Sequence, residues 1–419
     1  HIINGILAKV LLDQDLTPTE LLGAQIYGPL ATGFLIWLFT KLRSKQYDRL
    51  LFFARDGAVF YDLLKGHFKD MELVTERLFT NLPLTEYVHV SRTSMTLPSL
   101  LEIDIQKAHR MVSGKEPRPV REWLSLYGLT NTDLYVPVIT SCGFSSADEC
   151  IAGGDPRVPA LLQKLYLQIL TAAANARLEA QDYLRKYHSK KLAVVDLGWL
   201  GSVQQNFTKI LCSIDNDVQV DGYYFNLWTD NSYSRASLHD SYSAYIWDHA
   251  NEMTMNIPQL LQEGGVELLE DVLSATEGTT LGYIDGEPIL EESTTPDDTI
   301  LQLQKGCKLF FETAIPLLKG FLMTSLDSLD WVKPFFRVVE FPTAKEAEVL
   351  GEIKHTGGAG ETGRVAVPLA GKIFDADEYD TAKDAAYWNQ GFKLRNRDMV
   401  EVETETKRTL LSFLYKKKD

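Results

Sequence analysis

What most constrains the fold of this chain is a short apolar run that halts on a charged turn and restarts as a helix, a unit that recurs along the sequence. Arg49 to Phe53 (RLLFF) stops at Ala54-Arg55-Asp56-Gly57, and Ala58 to Phe68 has helical spacing of apolar residues. That is strand, tight loop, helix. Tyr87 to Val90 is a second strand, ending at Ser91-Arg92. Lys191 to Val195 is a third, running through Asp196-Leu197-Gly198-Trp199-Leu200-Gly201-Ser202 into a helix over Val203 to Cys212. Val218 to Leu227 and Tyr242 to Trp247 read as further strands. Such alternation predicts an α/β fold, a mostly parallel sheet with helices on its faces. Ligands of such sheets sit beyond the carboxyl ends of the strands, where both unusual loops fall.

Around this core, about 46–250, the pattern is largely helical. Residues 1–45 read as helices, with Thr17 as N-cap and Pro18 in the first position. An insertion at about 97–187 ends in a long helix, Val158 to Tyr187. Residues 251–419 read as a mainly α accessory, acceptor-binding region, with a helix over Thr299 to Met323 and a Gly-rich turn at Thr356 to Gly363. Ile26 to Phe39 is the strongest apolar run. Interrupted by Gly28, Pro29 and Gly33, it is too short to span a bilayer and reads as a buried helix, so no transmembrane segment is expected. The start of the chain lacks the marks of a signal peptide. Cys142, Cys150, Cys212 and Cys307 have no C-x-x-C spacing, so reduced thiols in a cytoplasmic protein are expected. A net charge of -15, from 42 basic and 57 acidic residues, excludes a nucleic-acid-binding surface.

The two loops carry the chemistry. At the tip of the third strand Asp196 precedes two glycines and the small polar start of a helix. Backbone N–H groups there form an anion site that Gly198 and Gly201 let a phosphate approach, with Ser202 and Gln204 as further donors. Asp196 is misplaced for phosphate but suits sugar hydroxyls or Mg²⁺; as a plain connection, it would instead be a helix N-cap. The loop resembles the phosphoribosyl pyrophosphate (PRPP) loop of type I phosphoribosyltransferases, with one acid where that family has two. ARDG resembles two precedents. Haloacid-dehalogenase phosphatases open with D-x-D-G, but Ala54 stands at the nucleophile and a methyl group cannot attack phosphorus. The pyrophosphate loop of phosphoribosyltransferases is matched by Arg55 and Gly57, and implies a sharply turned backbone with a cis peptide next to Arg55. Arg55 would clamp pyrophosphate through its planar fork. Arg92 is a candidate second phosphate ligand, or a salt-bridged strand end.

Taken in order, GPLATGFLIWL, FFARDG, YVHVSR and VVDLGWLGS resemble a phosphoribosyltransferase-like domain found beside haloacid-dehalogenase phosphatases in capsule and O-antigen proteins. The motifs cover about 28–204. The resemblance implies transfer of ribose 5-phosphate from PRPP, with Mg²⁺, to a glycan or lipid-linked oligosaccharide acceptor. A separate or fused phosphatase would then act on the product. It places Ala54, Arg55, Gly57, Ser91, Arg92, Asp196, Gly198, Trp199, Gly201, Ser202 and Gln204 around PRPP, with Arg55, Asp56 and Asp196 catalytic and Asp196 as the metal ligand. Asp56 and Asp196 both remain candidates for the general base. Glu263, Glu267 and Glu270 read as one polar face of a helix or as contacts with the acceptor. Trp228, Tyr233, Tyr387 and Trp388 are core aromatics or sugar-stacking groups. The tail Leu410 to Lys418 is a solvated helix end or a contact with an anionic membrane. Two other readings stay open: a non-catalytic binding module of the same fold, and a nucleotide-sugar glycosyltransferase.

Overall fold

Five strands form the parallel sheet that the alternation predicts. The computed structural model describes residues 2–43, 45–75, 82–103, 117–152, 154–228, 240–292, 297–319, 321, 326–355, 364–365 and 376–396. The strands are β1 (Arg49–Phe53), β2 (Leu84–Val88), β3 (Lys191–Asp196), β4 (Gln219–Tyr224) and β5 (Asp240–Ala244). Their order is β2-β1-β3-β4-β5, and every neighbouring pair is parallel. Successive side chains serve opposite layers. Leu50, Phe52, Ala193 and Val195 enter one core, and Leu51, Phe53, Leu192 and Val194 the other. Burial on both faces is why these strands read as unbroken apolar runs.

The helices that matter here are α1 (Ile2–Asp13), α2 (Pro18–Leu42), α3 (Ala58–Leu64) and α4 (Arg92–Thr96). They are followed by α5 (Tyr166–Leu184), α6 (Ser202–Cys212), α7 (Val266–Leu273) and α8 (Asp298–Leu318). α5 and α6 cover one sheet face through Tyr183, Leu184, Phe207 and Ile210. The other face carries α2, α7 and α8, so residues from Ile6 to Trp388 share one core. Trp123, Leu161 and Ile169 lie in a separate core within the insertion.

α2 starts where expected: Thr17 and Glu20 form a reciprocal capping box with Pro18 inside it. It is longer than the apolar run implied. Pro18–Leu42 is a continuous helical run of 25 residues, long and apolar enough to cross a bilayer, yet 89% of its apolar window is buried inside the protein. Its turn Gly23–Tyr27 is π-helical. α8 lies against it almost without side chains between: a Cβ on Gly306 would stand 1.8 Å from the Glu20 carbonyl oxygen.

Several boundaries differ from expectation. β2 is Leu84–Val88 rather than Tyr87 to Val90; as an edge strand it tolerates Thr85 and Glu86, which blurs the apolar signal. The last strand ends at Ala244, and Tyr245–Asp248 is a helical turn, because Tyr245 turns in against Phe34 and Trp37. The helix over Val158 to Tyr187 breaks at Leu165, which is fully buried in the insertion core. The helix from Ala58 ends at Leu64, two residues before Gly66 with its positive φ. Thr356 to Gly363, Tyr233 and Leu410 to Lys418 lie outside the described residues.

Strand order positions the site. From β1 the chain moves outward to β2, then crosses back to β3 on the other side of β1. The loops leaving β1 and β3 therefore diverge and open a crevice at their carboxyl ends. Those loops are ARDG and DLGWLGS.

Candidate active site at the strand crossover

The ARDG loop folds back on its own strand. Ala54 N donates to Val88 O at 2.9 Å and Gly57 N to Phe53 O at 2.7 Å. The Ala54–Arg55 peptide is cis, as is Gly198–Trp199 in the facing loop. A Cβ on Gly57 would lie 2.7 Å from Phe53 O, so this residue supplies room; its amide is committed to the strand rather than to a ligand. The residues after α7 hold the loop from outside. Ala275 N donates to Arg55 O at 3.0 Å, and Ser274 Oγ donates to Asp56 Oδ1 at 2.6 Å. Among the described residues, the half-buried Arg55 side chain makes no hydrogen bond or ion pair. The same is true of Arg92, which opens α4 and is exposed.

Asp196 ends β3 at 7% exposure, and its Oδ1 accepts from the Leu197 amide at 2.9 Å. It is not a helix cap. Gly201, at φ 67°, occupies the N-cap of α6 without a side-chain bond. Gly198 has φ 152°, and a Cβ there would stand 2.2 Å from Asn226 O, so the loop admits only glycine at that point. Ser202 opens α6 half-buried, with no side-chain hydrogen bond among the described residues. Two expected ligands are turned away. Gln204 is fully buried, donating to Val220 O and Ser241 O and accepting from Tyr224 Oη at 2.7 Å; its apolar surroundings in α6 require those bonds. The Ser91 hydroxyl accepts from Ser94 N and donates to Thr280 O, because it caps α4.

α7 supplies the wall. Trp199 Nε1 donates to Glu270 Oε1 at 2.6 Å, and the Trp199 and Trp228 rings stack with centroids 5.7 Å apart. Behind Glu270, His355 Nδ1 lies 2.8 Å from Asp271 Oδ1, and its Nε2 is 4.0 Å from Glu270 Oε2. Tyr87 Oη donates to Glu277 Oε1 at 2.7 Å on the β2 side. Tyr387 and Trp388 are buried and bond Ile353 O and Val339 O, which makes them core residues.

The acids strain against one another. Burial and then the field of Asp56 push Asp196 well above the ordinary carboxyl range, opposed by the Leu197 amide and Arg92. Burial raises Asp56 too, against Ser274, Arg55, Arg92 and His355. Burial and Asp56 push Glu270 up to about 7, despite the Trp199 indole and His355. For His355, burial is outweighed by Asp271 and by the Glu270 and Glu267 carboxylates, and its pKa rises. These carboxyls, the two guanidiniums, which make no ion pair among the described residues, and one imidazole thus share a single field. Such a set can bind an anion and hold or move a proton.

Sequence reasoning missed Ser274, Asp271 and His355, and left Glu270 between a polar helix face and an acceptor contact. One signal was present: Glu267, Glu270, Asp271 and Ser274 fall at i, i+3, i+4 and i+7, one stripe of a helix. Nothing local linked that stripe to loops 71 and 218 residues away in sequence, which meet it only by packing. Among the described residues, no group of three or more His, Cys, Asp or Glu side chains is placed to hold a metal by itself. No family model matches the chain, and no curated protein matches it.

Proposed function

We propose that the protein is a phosphoribosyltransferase that moves ribose 5-phosphate from PRPP to a glycan acceptor in bacterial polysaccharide assembly. The observation that carries this is the pair of guanidiniums, Arg55 and Arg92, which make no hydrogen bond or ion pair among the described residues and share one field with Asp56 and Asp196. Guanidiniums that make no ion pair favour a doubly or triply charged anion. The nearby carboxyls exclude a site that takes phosphate alone, and they suit the hydroxyls of a sugar that carries it.

Mg²⁺ fits this donor set. It keeps most of its water and needs one or two carboxylates plus substrate oxygens, rather than a full protein cage. Asp196, whose charge is disfavoured by burial and by Asp56, would hold it. When bound, the ion would neutralise charge on the departing pyrophosphate.

In the reaction, Arg55 and Arg92 bind and orient the pyrophosphate. They stabilise the charge that grows on it as the ribose C1–O bond breaks. Asp56, held by Ser274, lies in the same loop and in the field of both arginines. Attack from the opposite face converts the α donor to a β-ribofuranoside. Since Ala54 occupies the place of a phosphatase nucleophile, the product keeps its 5-phosphate and another active site must remove it. A reaction that uses PRPP would run in the cytoplasm, with lipid-linked acceptors met at the inner membrane face.

The test is thermal unfolding with Mg²⁺ and saturating PRPP. A ligand at 100 times its dissociation constant adds about 2.7 kcal/mol and raises Tm. No rise at millimolar PRPP refutes the donor; a rise with nucleotide sugars instead moves the assignment to that class of glycosyltransferase.

A further inference from the structure

We propose that the acceptor is a pyranose stacked on the Trp199–Trp228 pair, and that its attacking hydroxyl passes its proton to Oε2 of Glu270. The proposal rests on the donor reading above and completes the opposite side of the reacting carbon.

The aromatic pair is a built surface. Its rings are 25° from parallel and both are half-buried. The Trp228 amide donates to the Trp199 carbonyl at 2.9 Å, so the two loops that carry the indoles are tied together. An indole face is apolar and electron-rich, and one face of a pyranose presents C–H groups that pack against it. A phosphate or pyrophosphate gains nothing from such a surface.

Glu270 joins this surface to the reacting centre. Its Oε1 is fixed by the Trp199 indole, so the carboxyl has one orientation relative to the platform. Its Oε2 is 4.0 Å from His355 Nε2, beyond hydrogen-bond reach, and the side chain is 27% exposed. One oxygen therefore holds position while the other makes no hydrogen bond among the described residues. The two remaining acids are less suited. Asp196 is almost closed to solvent and bonded by Leu197 N. Asp56 is bonded by Ser274 and lies in the field of both arginines, on the pyrophosphate side. The ionisable groups that interact with Glu270 are Asp56, Asp271, His355 and Asp196. With its pKa near 7, the carboxyl matches the proton affinity that general-base catalysis needs at neutral pH.

The step balances. The C1–O bond to pyrophosphate breaks and its electron pair leaves with pyrophosphate. The acceptor oxygen forms the new bond to C1, and its proton goes to Glu270, which later releases it to solvent.

The test uses the full chain with PRPP, Mg²⁺ and a panel of nitrophenyl pyranosides, scored by mass spectrometry for an added pentose phosphate. Glu270→Gln keeps the bond from Trp199 but cannot accept the proton. It should slow transfer about 100-fold or more while PRPP still raises Tm. Trp228→Ala should raise the acceptor KM about 10-fold with kcat little changed. Transfer by Glu270→Gln within threefold of wild type, or an unchanged KM in Trp228→Ala, overturns the assignment of that residue. If PRPP raises Tm but no pyranoside is modified by the wild type, the acceptor assignment alone is wrong. If PRPP has no effect on Tm, the donor reading fails and this inference falls with it.

Discussion

Replacing Glu270 by Gln should stabilise the unliganded protein, and only above acidic pH. In the fold, burial and Asp56 hold this carboxyl at about 7, whereas in the unfolded chain it titrates in the ordinary Glu range. The folded state therefore binds the proton more tightly. Below the unfolded value both states are protonated and there is no difference. Between there and about pH 7 the unfolded state is already ionised and the folded state is not, so stability falls as pH rises. Above pH 7 the full penalty persists, at about 3 kcal/mol. Gln removes it while retaining an oxygen for the Trp199 indole. With about 2.1 cal/mol/K of unfolding entropy per residue over 419 residues, Tm should rise by roughly 3 °C at pH 8. Calorimetry of both proteins without PRPP, from pH 4.5 to 8.5, measures this. The curves should meet at the acid end, separate towards pH 7 and run parallel beyond it. Equal Tm values throughout, or a less stable variant at pH 8, would refute the buried, repelled carboxyl and the reasoning built on it.

Asp196→Asn should abolish most transfer while the far-ultraviolet circular dichroism stays that of the wild type, since the Leu197 bond survives; wild-type turnover would leave Asp196 a turn residue only. Gly306→Ala should lower stability by about 1–3 kcal/mol or more in denaturant titration, because the new methyl meets the Glu20 carbonyl at 1.8 Å. A neutral result would mean that α8 moves freely on α2. The chain should not hydrolyse phosphate monoesters; phosphate release that survives repurification and vanishes in Asp56→Ala would contradict the role of Ala54.

The sequence by itself determined the parallel α/β sheet, because strands buried on both faces must be apolar throughout and must give way to helices that cover them. It also placed Arg55, Asp56, Arg92 and Asp196 at the carboxyl ends of strands, since a charged turn after a buried run has nowhere else to go. The helix start at Thr17 and Pro18 was legible for the same local reason. Strand order was not. That β1 and β3 are neighbours, and that their loops diverge into a crevice, follows from long-range pairing that no local pattern specifies. Nor could the sequence tell that Gln204 bonds beneath the sheet or that Ser91 caps its own helix, since a side chain's direction depends on what packs around it. From sequence, Glu267 and Glu270 could be a polar helix face or acceptor contacts, and nothing local decided between them. Tertiary packing turned Glu270 against Trp199 and brought Ser274 onto Asp56 and His355 onto Asp271. The fields that set these pKa values exist only once those groups share a poorly solvated space.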